Sequence, residues 1–201
     1  MCMVNCPFGA ISDKSQIFQL AHALKKGDKV IAEIAPAYAG QFGDNITPRN
    51  LKAALQELGF EGFYEVALGA DIGAVAEAHH YVNKVTTGEL PFLLTSCCPS
   101  WAMLAKKYFP DLIEEVSQEL TPMVATARTI KQQHPDSKVV FIGPCAAKKL
   151  EQCGVLCEVT WILSLPLKNC RLCLTPREST WRNMRQSPRS TMQQVQAVAM
   201  P

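Results

Sequence analysis

Nine cysteines fall in a chain of 201 residues, and most of them sit in tight groups. Grouped thiols have two common uses. One is a disulfide framework, which suits short secreted chains; the other is ligation of a metal or an iron–sulfur cluster in a reducing compartment. No secretory leader precedes Cys2, so the expectation is metal or iron–sulfur chemistry in a cytoplasmic protein. The first group is Cys2-x3-Cys6-Pro7, running into Phe8-Gly9-Ala10-Ile11. Bacterial ferredoxins hold a [4Fe–4S] cluster with C-x2-C-x2-C-x3-C-P, and the segment matches the last two cysteines of that run. Cys2 and Cys6 are therefore expected to be metal ligands whose companions lie upstream. The bland alternative is two unpaired cysteines in a loop.

The second group reads Thr95-Ser96-Cys97-Cys98-Pro99-Ser100-Trp101, and the third Pro144-Cys145-Ala146-Ala147-Lys148-Lys149-Leu150-Glu151. Each follows an apolar segment with strand character and opens a helix. Open α/β sheets bind ligands at that edge, and a helix N-terminus favours a thiolate. Side chains of adjacent residues diverge, so at most one of Cys97 and Cys98 is a natural metal ligand. Lys148 lies one helical turn beyond Cys145, where an ammonium can reach an anion beside a metal. Taken alone, Lys148 and Glu151 read as a solvated i,i+3 pair.

The elements that must position these groups follow from periodicity. Strands are expected at 29–37, 63–69, 91–96 and 138–142, the last stopping at Gly143-Pro144. Helices are expected at 48–60, 70–85, 99–109 and 121–134. In the first of these, Leu51, Ala54, Leu55 and Leu58 share a face and Thr47 is the N-cap. Asp71 stands near the start of the second, and Pro99 opens the third. Strands alternating with helices imply βαβ units: an α/β fold with a mostly parallel sheet flanked by helices. There is no internal repeat. Nearly half the residues are apolar, enough for a core, and a net charge of +2 argues against a nucleic-acid binder or a polybasic membrane anchor. No apolar run reaches membrane-spanning length.

The second and third cysteine groups together resemble the first two of three signatures of the [FeFe] (iron-only) hydrogenase large, catalytic subunit, T-S-C-C-P-x-W and M-P-C-x-x-K-x-x-E. The likeness runs from residue 2 to about residue 151. In that family a [4Fe–4S] cluster shares a cysteine thiolate with a two-iron CO/cyanide subcluster. The resemblance implies that Cys98 and Cys145 are two of the four cluster ligands, and that Cys97 is the proton-relaying thiol. It implies that Lys148 contacts one cyanide, that Pro36 lies near the other, and that Glu77 and Ser117 continue the proton path. The implied activity is reversible reduction of protons to hydrogen. Electrons would come from ferredoxin or another iron–sulfur carrier, and maturation proteins would supply the two-iron group.

Three departures accompany the likeness. The family's second relay Glu falls on His80, which can also carry protons. The Met that opens the second signature is Gly143. The third signature, E-x-M-A-C-x-x-G-C-x-x-G-G-G-Q-P, does not occur in the 201 residues, and with it go the other two ligands. The chain therefore reads as a piece of such a subunit, truncated at both ends and inactive as it stands. The alternative is a non-catalytic iron–sulfur binding or assembly protein, like the eukaryotic hydrogenase-like assembly factors.

Residues 1–12 then read as a ferredoxin-like remnant and 25–151 as a partial catalytic domain. The character changes beyond that. Residues 1–151 hold 14 Lys+Arg and 16 Asp+Glu; residues 152–201 hold 6 and 2, with no sustained helix or strand pattern. Cys153-x3-Cys157-x12-Cys170-x2-Cys173 has the look of a small zinc site. The favoured reading is out-of-frame translation. Permitted codons read two bases along can yield a strand, an amphipathic helix and a glycine-rich loop, a locally consistent pattern that the tail itself lacks. Strand 138–142 is then expected to present an exposed apolar edge.

Overall fold

The computed structural model describes residues 7–8, 10, 16–42, 46–152 and 159–164. The Cys2 and Cys6 ligands, most of the 1–12 remnant and the four tail cysteines lie outside the described residues. The architecture starts from Val30–Ile34 (β1), whose five residues are all buried. A strand buried on both faces needs neighbours on both edges and a layer above and below. Gly62–Glu65 (β2) pairs parallel along one edge, with Ile31 opposite Gly62 and Ile34 opposite Glu65. Lys138–Gly143 (β3) pairs parallel along the other, with Val30 opposite Lys138 and Ile34 opposite Ile142. Val159–Ser164 (β4) adds a fourth parallel strand, giving the order β2-β1-β3-β4. The parallel sheet with flanking helices is the α/β class expected.

Alternation along the strands sorts the core into two layers. Val30, Ala32, Ile34, Val140 and Ile142 pack with Leu20 and Ala23 of Ile17–Lys26 (α1), with Leu51 and Leu55 of Pro48–Glu57 (α2), and with Phe60. Ile31, Ala35, Val139, Phe141 and Val159 pack against Met123, Val124, Ala127 and Ile130 of Pro122–Gln133 (α5). Thr47 caps α2 as expected. Its hydroxyl accepts from Asn50 N at 3.3 Å, and Asn50 Oδ1 accepts from Thr47 N at 3.0 Å. Asp28 Oδ2 accepts from Lys138 Nζ at 2.6 Å, fastening the beginnings of β1 and β3 together.

Several boundaries differ from expectation, each for a physical reason. β1 stops at Ile34 because Pro36 has no N–H to donate and opens a 3-10 turn, Pro36–Tyr38. The strand expected at 63–69 ends at Glu65, where Val66–Lys84 (α3) begins at once. That early start carries Gly69 onto α5, where a Cβ would stand 2.2 Å from the Pro122 carbonyl oxygen. The segment 91–96 is not a sheet strand. Leu94 instead makes one isolated bridge to Val116, with Leu94 N donating to Glu115 O and Ser117 N to Leu94 O. Pro99–Tyr108 (α4) follows as expected, and α1 was not foreseen. β4 lies in the tail where no strand was expected and covers the edge of β3, which is therefore not exposed.

Candidate functional site

Parallel strands deliver their C-terminal ends to one edge, and that is where the motif residues gather. Beyond β1 comes Pro36, exposed, in the turn that Tyr38 anchors by donating its hydroxyl to Glu65 Oε1 at 2.5 Å. Burial and the adjoining Glu65 carboxylate push the Tyr38 phenol up, so it remains a donor at any ordinary pH. Beyond β3 comes Cys145, exposed, and then Lys148–Gln152 (α6). Cys98 occupies the N-cap position of α4, with Pro99 at the first helical position. Trp101 Nε1 donates to Thr95 O at 3.0 Å and closes the loop that carries Cys97 and Cys98, both exposed.

One side chain joins the two motifs. Lys148 Nζ donates to the Cys97 carbonyl oxygen at 3.1 Å and to Glu151 Oε2 at 3.0 Å. Glu151 Oε2 also accepts from Thr121 Oγ1, 3.3 Å away at the head of α5. Lys148 and Glu151 are only 14% and 13% exposed, so the solvated-pair reading fails and they form a half-buried network. Ser117 is buried beneath the same loop. Its backbone N bonds Leu94 O at 2.7 Å, and its hydroxyl accepts from Glu119 N at 3.3 Å. Glu77 and His80 lie on α3, partly exposed, and among the described residues no hydrogen bond joins either to Ser117 or Cys97. The structure thus brings Cys97, Cys98, Cys145 and Lys148 to the C-terminal edge of the sheet, with Lys148 bonded to the Cys97 carbonyl.

The residue that sequence reasoning missed is Glu33. It is fully buried in β1, and neither of its carboxylate oxygens has a hydrogen-bond partner. Burial pushes its carboxyl well above the usual range; Lys148 pulls it down and Glu151 pushes it up further. A charged residue inside the apolar run Val-Ile-Ala-Glu-Ile was the available signal. Gly143 also has a structural cause: a Cβ there would stand 2.7 Å from the Phe141 ring and 2.9 Å from the Ala35 Cβ.

The donor set sets a limit. A [4Fe–4S] cluster takes four protein ligands, commonly thiolates. Among the described residues no group of three or more His, Cys, Asp or Glu can hold a metal ion. The described residues by themselves therefore do not complete a cluster site.

Comparison with known proteins gives the family of the chain. The family model for the iron only hydrogenase large subunit, C-terminal domain, matches residues 28–160. The chain is 32% identical over 163 residues to iron hydrogenase 1 of Clostridium pasteurianum, covering 72% of this chain and 28% of that protein. It is 30% identical over 105 residues to the cytosolic Fe-S cluster assembly factor NAR1 of Candida dubliniensis, covering 48% of this chain and 18% of that protein. A solved [FeFe]-hydrogenase structure, HydA(ΔEFG), superposes with a TM-score of 0.68 at 25% identity, covering 79% of this chain and 47% of that one. The chain thus spans less than half the length of each of these proteins, and its relatives include both hydrogenases and assembly factors. With the family match extending over β1, β2, β3 and the cysteine motifs at 95–101 and 144–151, the chain belongs to the iron-only hydrogenase large-subunit family, in its C-terminal domain.

Proposed function

We propose that this chain forms one wall of an iron–sulfur site in a hydrogenase catalytic subunit that, when complete, interconverts protons and hydrogen. Family membership implies an iron–sulfur cofactor. The observation that carries the proposal is the 3.1 Å bond from Lys148 Nζ to Cys97 O, which ties two motifs 51 residues apart into one edge. In this reading Cys98 and Cys145 are two of four ligands to a [4Fe–4S] cluster. Cys97, next to the ligand but not itself one, offers an exposed thiol for proton exchange. Lys148 and Pro36 face the anionic ligands of the two-iron group, which supplies the hydride chemistry when bound. Ser117 and Glu77 stand further back on the proton route. Cys2 and Cys6 belong to a ferredoxin-type cluster that receives electrons from a ferredoxin or another iron–sulfur carrier. Maturation proteins install the two-iron group, and the setting is cytoplasmic. No helix among the described residues is long and apolar enough to cross a membrane.

The 201-residue chain carries half the cluster ligands, so it does not turn over hydrogen by itself. A second reading is a cluster-binding assembly factor, favoured by His80 in place of the relay Glu and by the NAR1 relatives. One experiment separates the two. The chain is extended with the third-signature segment of a related hydrogenase, matured anaerobically, and assayed for hydrogen with a reduced low-potential dye. Hydrogen from the extended protein and none from the chain alone supports the catalytic reading. A stable iron–sulfur protein that makes no hydrogen after maturation supports the assembly reading.

A further inference from the structure

We propose that Glu151 and Thr121 are positioning residues for Lys148: Thr121 holds the Glu151 carboxylate, Glu151 holds the ammonium, and the ammonium holds the Cys97 carbonyl, so that the cysteine loop ahead of α4 is fixed against the turn that carries Cys145. Lys148 meets the backbone of both cysteine motifs. Its backbone N donates to the Cys145 carbonyl oxygen at 3.4 Å, and its Nζ donates to the Cys97 carbonyl oxygen at 3.1 Å. The second bond is made at the end of a flexible four-carbon stem, which gives up its rotamers only where something holds the ammonium. Glu151 Oε2, 3.0 Å from Nζ, is the group that does so.

An i,i+3 pair on a helix of five residues would by itself hold little. This carboxylate, however, is anchored from another element. Thr121 Oγ1 donates to the same Oε2 at 3.3 Å. Thr121 occupies the N-cap position of α5, where a threonine hydroxyl ordinarily accepts from its own helix, and here it makes no such cap bond. The hydroxyl is turned instead to Glu151, 30 residues on. The Lys148 and Glu151 side chains are withdrawn from most of the solvent, so water competes weakly for a charge-assisted bond. The last residue of α6 is tied as well, with Gln16 Nε2 donating to Gln152 Oε1 at 3.2 Å. One line of bonds therefore runs from the head of α5, through α6, to the loop before α4. Its meaning for a cluster rests on the reading of Cys98 and Cys145 as ligands; the positioning itself does not.

The test reads the Cys97 carbonyl in the iron-free full chain, so it can fail while the hydrogenase reading stands, and the reverse. Cys97–Cys98 is the one Cys-Cys peptide in the 201 residues. Cysteine labelled with 13C at the carbonyl and 15N at the amide therefore gives a single carbonyl-to-amide NMR correlation. A hydrogen bond to the Cys97 oxygen moves its 13C frequency downfield. Lys148→Met is expected to move the signal upfield. Glu151→Ala and Thr121→Val should move it the same way, Thr121→Val by less. Thr121→Ser, which keeps the hydroxyl, should leave it at the natural frequency. In a Lys148→Met background Thr121→Val should add nothing, which separates action through the lysine from a general loosening of α5. A signal unmoved by Lys148→Met, or moved by it but not by Glu151→Ala and Thr121→Val, overturns the proposal. So does a Thr121→Val shift of equal size in the Lys148→Met background.

Discussion

Replacing Gly143 by alanine sets two effects of opposite sign against each other. Gly143 does not have positive φ, so an L side chain is not excluded by the backbone. Restricting the unfolded chain would by itself stabilise Gly143→Ala by about 0.4–1 kcal/mol. Against this, the new Cβ would stand 2.7 Å from Cε1 and Cζ of Phe141 and 2.9 Å from the Ala35 Cβ. The Phe141 ring is 2% exposed and packed against α5, so it has no free volume to swing into. The Ala35 Cβ moves only with its backbone, which is held by the 2.9 Å bond from Ala35 N to Ile142 O. Overpacking of this kind costs about 1–3 kcal/mol, so packing outweighs chain entropy and the net expectation is a loss of about 1–2 kcal/mol. Denaturant unfolding followed by circular dichroism reads this as a lower midpoint at unchanged slope. Phe141→Leu in the same chain should recover part of the loss, because it withdraws the two ring atoms concerned. A Gly143→Ala chain as stable as the natural one, or more so, would refute the reasoning.

Three further outcomes are expected. Glu33→Met replaces an orphaned buried carboxyl with an apolar side chain of similar length and should raise stability at neutral pH by about 1–3 kcal/mol. The folded state holds the Glu33 proton more tightly than the unfolded state, so the natural chain is most stable below the unfolded carboxylate range and loses stability as pH rises through the folded value. Unfolding midpoints measured against pH should therefore show the advantage of Glu33→Met growing as pH rises, and an advantage greatest in acid would contradict this. Thr47→Ala removes the cap of α2 and should cost about 1 kcal/mol by the same unfolding measurement. Resequencing the DNA around the codon for Gln152 should find a missing base, with the third signature restored downstream; an intact frame would refute the out-of-frame account of the tail.

The family and the fold class were legible in the sequence, the boundaries of the elements less so. Both cysteine motifs announce themselves within eight residues because cysteine and proline, joined in the second motif by Lys148, are local neighbours in sequence. Their union is a tertiary event, and only the structure shows that Lys148 reaches back to Cys97. Thr47 and the apolar face of α2 could be read because a cap and a 3.6-residue period are local signals. The segment 91–96 misled because a short apolar run has strand character whatever it pairs with, and here Leu94 pairs only with Val116. The start of α3 was hidden because Val66 to Gly69 is as compatible with a strand as with a helix, and packing on α5 decided between them. Glu33 could be flagged as a charge in an apolar run but not assigned, because its carboxyl is pushed up first by burial in a sheet assembled from distant segments, and only then pulled down by Lys148 and pushed further up by Glu151.

The central claim is that Cys98 and Cys145 bind iron and that Cys97, beside them, does not. The most direct measurement uses a chain in which Cys2, Cys6, Cys153, Cys157, Cys170 and Cys173 are replaced by serine, leaving only Cys97, Cys98 and Cys145. Ferrous iron is added anaerobically, and thiolate-to-iron charge-transfer absorption is recorded. The expected absorption is lost with Cys98→Ser and with Cys145→Ser, and retained with Cys97→Ser. Absorption that survives both of the first two substitutions, or that is lost with Cys97→Ser while Cys98→Ser leaves it intact, would contradict the claim.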